Sequence, residues 1–317
     1  MLTQGNAVHL PFADGVFHCC VTSPPYWGLR DYGIDNQLGL EPTPDAYVAN
    51  MVAVFREVRR VLRDDGTCWL NLGDSYAGSG KGREADGTHQ LGGKQGTNGG
   101  TVIGLLDKTP CGDGLKPKDL VGIPWRVAFA LQADGWWLRS DVIWHKPNPM
   151  PESVTDRPTK SHEYMFLLTK SARYFWDAEA VKEPSIEPVR AREKNNGESA
   201  VDTKSRGYDC NCGCNGSRNI RSVWTIPTQP YSGAHYATFP PALVEPCVKA
   251  GSREGDTVLD PFCGSGTVGE VCRGLRRRFV GVDLSAEYLA RNAMPRSEQR
   301  TCQAAIAELP MFEGLEL

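Results

Sequence analysis

Apolar residues fall into two rhythms along this chain. Val16 to Thr22 (VFHCCVT) is almost wholly apolar and is bounded by Gly15 and by Pro24 and Pro25. Such a run fits a strand buried on both faces, as in a parallel sheet. From Pro44 to Leu62 the apolar positions Tyr47, Val48, Met51, Val54, Phe55, Val58, Val61 and Leu62 recur at helical spacing. Gly66 is expected to stop that helix, and Thr67 to Leu72 predicts the next strand. Strand, helix and strand in that order form a βαβ unit, so the sheet is at least partly parallel. Lys118 to Trp125 leads into a helix through Val127, Ala130 and Leu131 that Gly135 ends. Trp137–Trp144 and Glu163–Thr169 predict two further strands. Thr257–Asp260, a glycine-rich turn, a helix from about Thr267 and Arg278–Asp283 make a second βαβ unit. No internal repeat is present.

Two stretches break the rhythm. Residues 73–114 are rich in glycine, poor in aliphatic residues and without period, as in an ordered lid or a disordered loop. Residues 171–221 turn polar, with Glu, Lys, Arg and Asn frequent, and suggest an insertion. The expected organisation is a catalytic half (1–170), an insertion (171–221) and a nucleotide-binding half (222–317).

Composition narrows the class only a little. Of 317 residues, 40% are hydrophobic and 23% charged, enough for a full core and ordinary for a globular protein. No apolar run is long enough to span a bilayer, so no membrane association is expected. The opening MLTQGNAVHLPFADG lacks a basic segment followed by an apolar one, which predicts a cytoplasmic protein. Eleven cysteines, an odd number in mostly apolar surroundings, fit reduced thiols. A net charge of −3 gives no support to nucleic-acid binding, so any such role must rest on local features.

The glycine turn is the first such feature. Gly264, Gly266 and Gly269 match G-x-G-x-x-G between a strand and a helix, and Asp283 ends the following strand. Glycines allow a ligand close to the backbone, and a carboxylate at the second strand's end can bind a ribose diol. An adenosine cofactor is implied. NAD would place its pyrophosphate on the helix N-terminus; S-adenosylmethionine (AdoMet) needs only the close approach and the diol contact. Only 34 residues follow Asp283, too few for the further strands of a dinucleotide fold, which weighs against NAD.

The second feature is Ser23-Pro24-Pro25-Tyr26 at the carboxyl end of the first buried strand, the edge where open α/β sheets bind ligands. Two prolines fix the backbone and remove two amide donors. Backbone carbonyls, the Ser23 hydroxyl and the Tyr26 ring then suit a planar substrate whose amino group must be held and aimed.

With both motifs in hand, the sequence resembles the β-class, permuted DNA amino-methyltransferases, which act on N4 of cytosine or N6 of adenine. Ser23 to Tyr26 resembles their catalytic motif, Asp260-Pro-Phe262-Cys-Gly264-Ser265-Gly266 with Thr267 their cofactor loop, and Asp283 their ribose-binding acid. His235 to Pro240, with Thr238 and Phe239, resembles the segment packed on the methionine part of AdoMet. Trp144 to Asn148 resembles the wall of the target-base pocket. Gly5-Asn6 stands where the family commonly carries Gly-Asp, and Asn6 can still hydrogen-bond the adenine edge.

The resemblance implies an α/β fold with a mostly parallel, permuted, Rossmann-like seven-stranded sheet and a target-recognition insertion. It also implies double-stranded DNA as substrate, a flipped target base, and a cognate restriction endonuclease as partner. Tyr26 would stack on the base, while the Pro24 carbonyl and Ser23 accept from its amine. Ser23, where the family's adenine enzymes more often carry Asp, favours N4 of cytosine; a neutral hydroxyl can donate to ring N3, which an ionised Asp cannot.

Other chemistries fit less well. The Pro-Cys pairs at Cys111 and Cys247 lack the surroundings of a cytosine-C5 nucleophile. His145, His162 and His235 need not act as bases, because the amine can lose its proton after attack. Cys210, Cys212 and Cys214 are spaced too closely for paired zinc ligands, and no metal site is expected. Lys118, Lys146, Asn148, Arg157 and Lys160 flank the active edge and are expected to contact DNA.

Overall fold

The computed structural model describes residues 1–31, 33–34, 36–78, 114–184, 217–229 and 239–294. Most of the glycine-rich stretch, Cys111, Cys210, Cys212, Cys214, His235 and Thr238 lie outside the described residues.

The chain opens with a short strand, β1 (Leu2–Gln4), followed by the buried β2 (Phe17–Thr22). Helix α1 (Pro44–Val61) starts at Thr43, whose hydroxyl accepts from the Ala46 amide at 3.2 Å, with Pro44 in the first turn, where its missing N–H costs nothing. Tyr47, Met51, Val54, Phe55, Val58 and Val61 form its buried stripe. The helix ends at Val61 and runs directly into β3 (Leu62–Leu72), so Gly66 is not the stop. It sits within β3 instead, beside a register shift between Phe17 and Cys19 on β2. A Cβ on Gly66 would lie 2.6 Å from Leu62 Cγ and 3.1 Å from the His18 carbonyl. The glycine is there for close strand approach.

After this come α2 (Ile123–Ala133), β4 (Trp137–His145) and β5 (His162–Thr169). A short ribbon pairs β6 (Glu183–Pro184) with β7 (Ser217–Arg218), and β8 (Val223–Thr225) follows. The last elements are α3 (Pro241–Gly251), β9 (Thr257–Asp260), α4 (Thr267–Gly274), β10 (Arg278–Asp283) and the short α5 (Ala286–Tyr288).

Among the described residues the main sheet has eight strands in the order β1-β10-β9-β2-β3-β5-β4-β8. Every neighbouring pair is parallel except the two that involve β5. The expected mostly parallel α/β sheet is therefore present, with the three-residue β8 added as an eighth strand at one edge. The topology has a consequence for function. Because only β5 runs backwards, the carboxyl ends of β1, β10, β9, β2, β3, β4 and β8 and the amino end of β5 all meet at one edge.

Two cores flank the sheet. Helices α1 and α2 cover one face with Phe55, Met51, Leu70 and Phe166 among the buried residues. On the other face α3 packs Leu243, Val244 and Cys247 against Val21, Trp69 and Val258. The polar stretch from 171 is tied to the rest of the fold at its start: the Phe175 amide bonds the Asp65 carbonyl, the Asp177 amide bonds the Ala250 carbonyl, and Val181 is buried. The β6–β7 ribbon, held by Glu183 with Arg218 and Arg221, brackets what remains.

Candidate active site

One continuous cavity lies along the converging edge. Gly264, Ser265, Asp260, Phe262, Thr267 and Asp283 line one part of it, and Ser23, Pro24, Pro25 and Tyr26 another. The two motifs, more than 200 residues apart in sequence, thus share one space because β9 and β2 are neighbours in the sheet.

The glycine loop is built around its acids. Asp260 ends β9 fully buried; its Oδ1 accepts from the Thr22 hydroxyl at 2.7 Å and from the Phe262 amide at 3.1 Å. The first contact ties the cofactor strand to the catalytic strand. Burial raises the Asp260 carboxyl to about 7 despite both donors. Asp283 Oδ2 accepts from the Gly264 amide and Oδ1 from the Ser285 amide, both at 3.0 Å. Burial raises its pKa as well, the amides opposing. Gly266 has φ +77°, and a Cβ there would fall 2.9 Å from the Cα and carbonyl oxygen of Ala293. Only glycine fits. Ser265 and Thr267 are buried with their hydroxyls 3.3 Å apart. Asn6 and Phe239 line the same cavity; Asn6 accepts the Val8 amide at 3.0 Å through Oδ1.

The set fits AdoMet. Asp283 sits in the cavity with each oxygen anchored by one amide, leaving lone pairs for a ribose diol. Asn6 presents its amide, and Phe262 and Phe239 supply apolar walls. No cluster of His, Cys, Asp or Glu able to hold a metal occurs among the described residues.

At the catalytic end, Tyr47 donates to the Pro25 carbonyl at 2.9 Å, which fixes the proline turn. The Tyr26 ring lies against Gly73, where a Cβ would come within 2.5 Å of Tyr26 Cε2. Its hydroxyl is 3.0 Å from Asn71 Oδ1 and 2.8 Å from Glu163 Oε2, and burial raises its pKa. Ser23 Oγ is 3.3 Å from Asn71 Oδ1 and 3.4 Å from the Tyr26 hydroxyl. Asn71 donates to the Tyr164 carbonyl at 3.0 Å. Asn71 and Glu163 were not foreseen, although a lone Asn in the apolar run of β3 and a Glu opening β5 are both out of place in buried strands.

The five residues expected on DNA are engaged within the chain. Lys146 reaches inward to Glu163, lies 4.2 Å from the centre of the Trp144 ring and lines the cavity. Lys160 donates to the Asp74 carbonyl at 2.9 Å, and burial lowers its pKa. Arg157 pairs with Glu152 and covers the Tyr76 ring. Asn148 exchanges two hydrogen bonds with the Thr228 backbone, pinning the turns after β4 and β8. Lys118, paired with Asp156, is exposed on the surface, and such pairs hold a side chain only weakly.

The parallel sheet, the carboxyl-edge cavity and the paired motifs define a Rossmann-like methyltransferase. Residues 17–294 match the N6/N4 DNA methylase family, described as DNA methylase, and the chain belongs to that family, whose methyl donor is AdoMet. It is 49% identical over 290 residues to the type II methyltransferase M.Cfr9I of Citrobacter freundii, covering 91% of this chain and 84% of that one. It is 50% identical over 273 residues to M.SmaI of Serratia marcescens, covering 86% and 82%. Among solved structures it superposes on PvuII DNA methyltransferase (cytosine-N4-specific) with a TM-score of 0.61 at 16% identity, covering 96% and 89%. TTHA0409 of Thermus thermophilus, complexed with S-adenosyl-L-methionine, gives 0.56 at 23% identity, covering 93% and 92%. As a member of that family, the chain is an AdoMet-dependent DNA methyltransferase. No helix among the described residues is long and apolar enough to cross a membrane.

Proposed function

We propose that this chain methylates the exocyclic N4 amine of a cytosine flipped out of duplex DNA. The observation that carries the proposal is the single cavity in which the Asp283 loop and Ser23 to Tyr26 meet. AdoMet, when bound, supplies an electrophilic methyl on sulfur. The chain's own residues do the rest. Asp283 and Asn6 hold the nucleoside part, Phe262 and Phe239 exclude water, and Ser265 and Thr267 line the turn beside Gly264 and Gly266. Thr238 belongs to the same cofactor set.

Tyr26 offers its ring to the base, and the Pro24 carbonyl accepts from the amine and aims its lone pair. The Pro25 carbonyl accepts from Tyr47, and the Pro24 carbonyl is the acceptor that the family resemblance implies for the amine. The amine would be the nucleophile toward that methyl, and the chain's part is to hold the amine's lone pair in line and leave its proton free to pass to water. No covalent enzyme intermediate and no general base are required; orientation and aimed dipoles lower the barrier.

Ser23 supports cytosine over adenine. Its contacts with Asn71 and Tyr26, at 3.3 and 3.4 Å, are long enough to be exchanged for a better acceptor such as cytosine N3. Within the polar insertion 171–221, the segment 185–216 is assigned to reading the DNA sequence, and Lys118 and Asn148 are assigned to DNA contact. In a restriction–modification setting the partner is an endonuclease of the same specificity. Methylation-sensitive sequencing of DNA from cells expressing the chain tests the reading: modified cytosines at one recurring site support it, and unmodified DNA refutes it.

A further inference from the structure

At the tip of the Tyr26 ring lies an ion pair that stability alone does not account for. The Glu163 and Lys146 side chains are 16% and 17% exposed, and each lines the cavity. Removing two charges from water costs several kcal/mol per ion, and a buried pair seldom returns more than it costs. The geometry shows what the pair does instead. Lys146 holds Glu163 through Oε1, which leaves Oε2 for the Tyr26 hydroxyl at 2.8 Å. Tyr26 has one hydroxyl proton and two acceptors within reach, the neutral Asn71 Oδ1 at 3.0 Å and the carboxylate. The charged acceptor at the shorter distance takes it. The ring is thereby fixed at its tip by Glu163 and along its edge by the Gly73 backbone.

We infer that Glu163, anchored by Lys146, is a positioning residue that sets the plane of the Tyr26 ring and so the seat of the target base. This rests on the proposed methylation of a flipped base in the same cavity. Glu163 acts through Tyr26 and not on the cofactor: four strand spacings separate β5 from β10, about 19 Å at roughly 4.8 Å per strand. The charge on Glu163 is kept because a neutral acceptor there would have to compete with Asn71 for the same proton.

The test measures single-site methylation of a duplex that the wild-type enzyme methylates, together with AdoMet affinity. Glu163→Ala is expected to lower kcat tenfold to a hundredfold with the AdoMet Kd unchanged, and Glu163→Gln to lose less than tenfold. In a Tyr26→Phe background, which lacks the hydroxyl Glu163 accepts, adding Glu163→Ala should cost less than a further threefold. A duplex with 2-aminopurine at the target position should show the same ordering in the fluorescence rise on extrusion. If Glu163→Ala loses AdoMet binding, and with it the fold, Glu163→Gln is compared in the two backgrounds and must show the same non-additivity. Wild-type kcat in Glu163→Ala, or an equal loss with and without the Tyr26 hydroxyl, overturns the inference. Absence of methylation by the wild-type enzyme would instead defeat the functional reading beneath it.

Discussion

Replacing Asp283 by Ala separates cofactor binding from folding. The carboxylate anchors the Gly264 and Ser285 amides at 3.0 Å each, and in the proposed function its remaining lone pairs take the AdoMet diol. A hydrogen bond to a charged acceptor is worth about 1.5–3 kcal/mol, so losing the diol contact should weaken AdoMet roughly 10- to 150-fold. The apo protein should change far less. Burial already disfavours the ionised form, so removing the group lifts a desolvation cost while it removes two loop contacts. The net change in apo stability should stay within about 1 kcal/mol. Asp283→Asn keeps one acceptor oxygen and should fall between the wild type and Asp283→Ala. Calorimetric titration with AdoMet gives the first quantity, and denaturant unfolding of the cofactor-free protein the second. An AdoMet Kd within threefold of wild type in Asp283→Ala would refute the assignment of this carboxylate to the diol.

Three other outcomes follow from the same structure. Gly266→Ala forces a left-handed backbone on a residue with a side chain and drives its Cβ onto Ala293, costing about 2–4 kcal/mol, with AdoMet binding lost in parallel; an unfolding midpoint equal to wild type would contradict it. Asp260 holds a proton in the folded state up to about pH 7 that the unfolded chain releases near pH 4, so its contribution to stability is present at low pH and drains away as pH rises through that window. Asp260→Asn keeps an oxygen for Thr22 and Phe262 and removes the titration; its stability relative to wild type should rise by roughly 4 kcal/mol from pH 4 to 8, and parallel curves would refute this. Exchanging 185–216 for the matching segment of a relative of different specificity should move the methylated site while the AdoMet Kd stays put; methylation of the original site would place sequence reading elsewhere.

Much of the fold was legible because its strands are buried on both faces. The runs in β2, β9 and β10 carry their own signal, and the helical stripe of α1 is equally plain. Where the pattern was thin, the structure added elements. Residues Leu2–Gln4 are too few to show a period and become a strand only because β10 offers an open edge. Helix α3 carries Pro246 in its interior, which lowers its propensity, yet it forms because Leu243, Val244 and Cys247 fill the sheet's second face. The helix stop placed at Gly66 failed for a related reason: strand pairing with β2 captured Leu62 onward before any glycine was reached.

At the site, Ser23 to Tyr26 and the Gly264 loop were readable because each motif is contiguous. Asn71 and Glu163 were not, lying 45 and 137 residues from Tyr26; parallel pairing of β3 with β2 brings the first to it and the antiparallel return of β5 the second. Lys146 was noticed for its charge, but its direction depends on a carboxylate that only the folded sheet places beside it.

The central claim, methyl transfer from AdoMet to a DNA amine at N4 of cytosine, meets its most direct test in nucleoside mass spectrometry. Duplex DNA is incubated with the purified protein and AdoMet bearing a trideuterated methyl group, then digested to nucleosides. The account predicts trideuterated N4-methylcytosine, lost in Ser23-to-Tyr26 variants that still bind AdoMet. Label in N6-methyladenine would contradict the choice of base and leave the class standing, whereas label in 5-methylcytosine, or none in DNA, would contradict the mechanism itself.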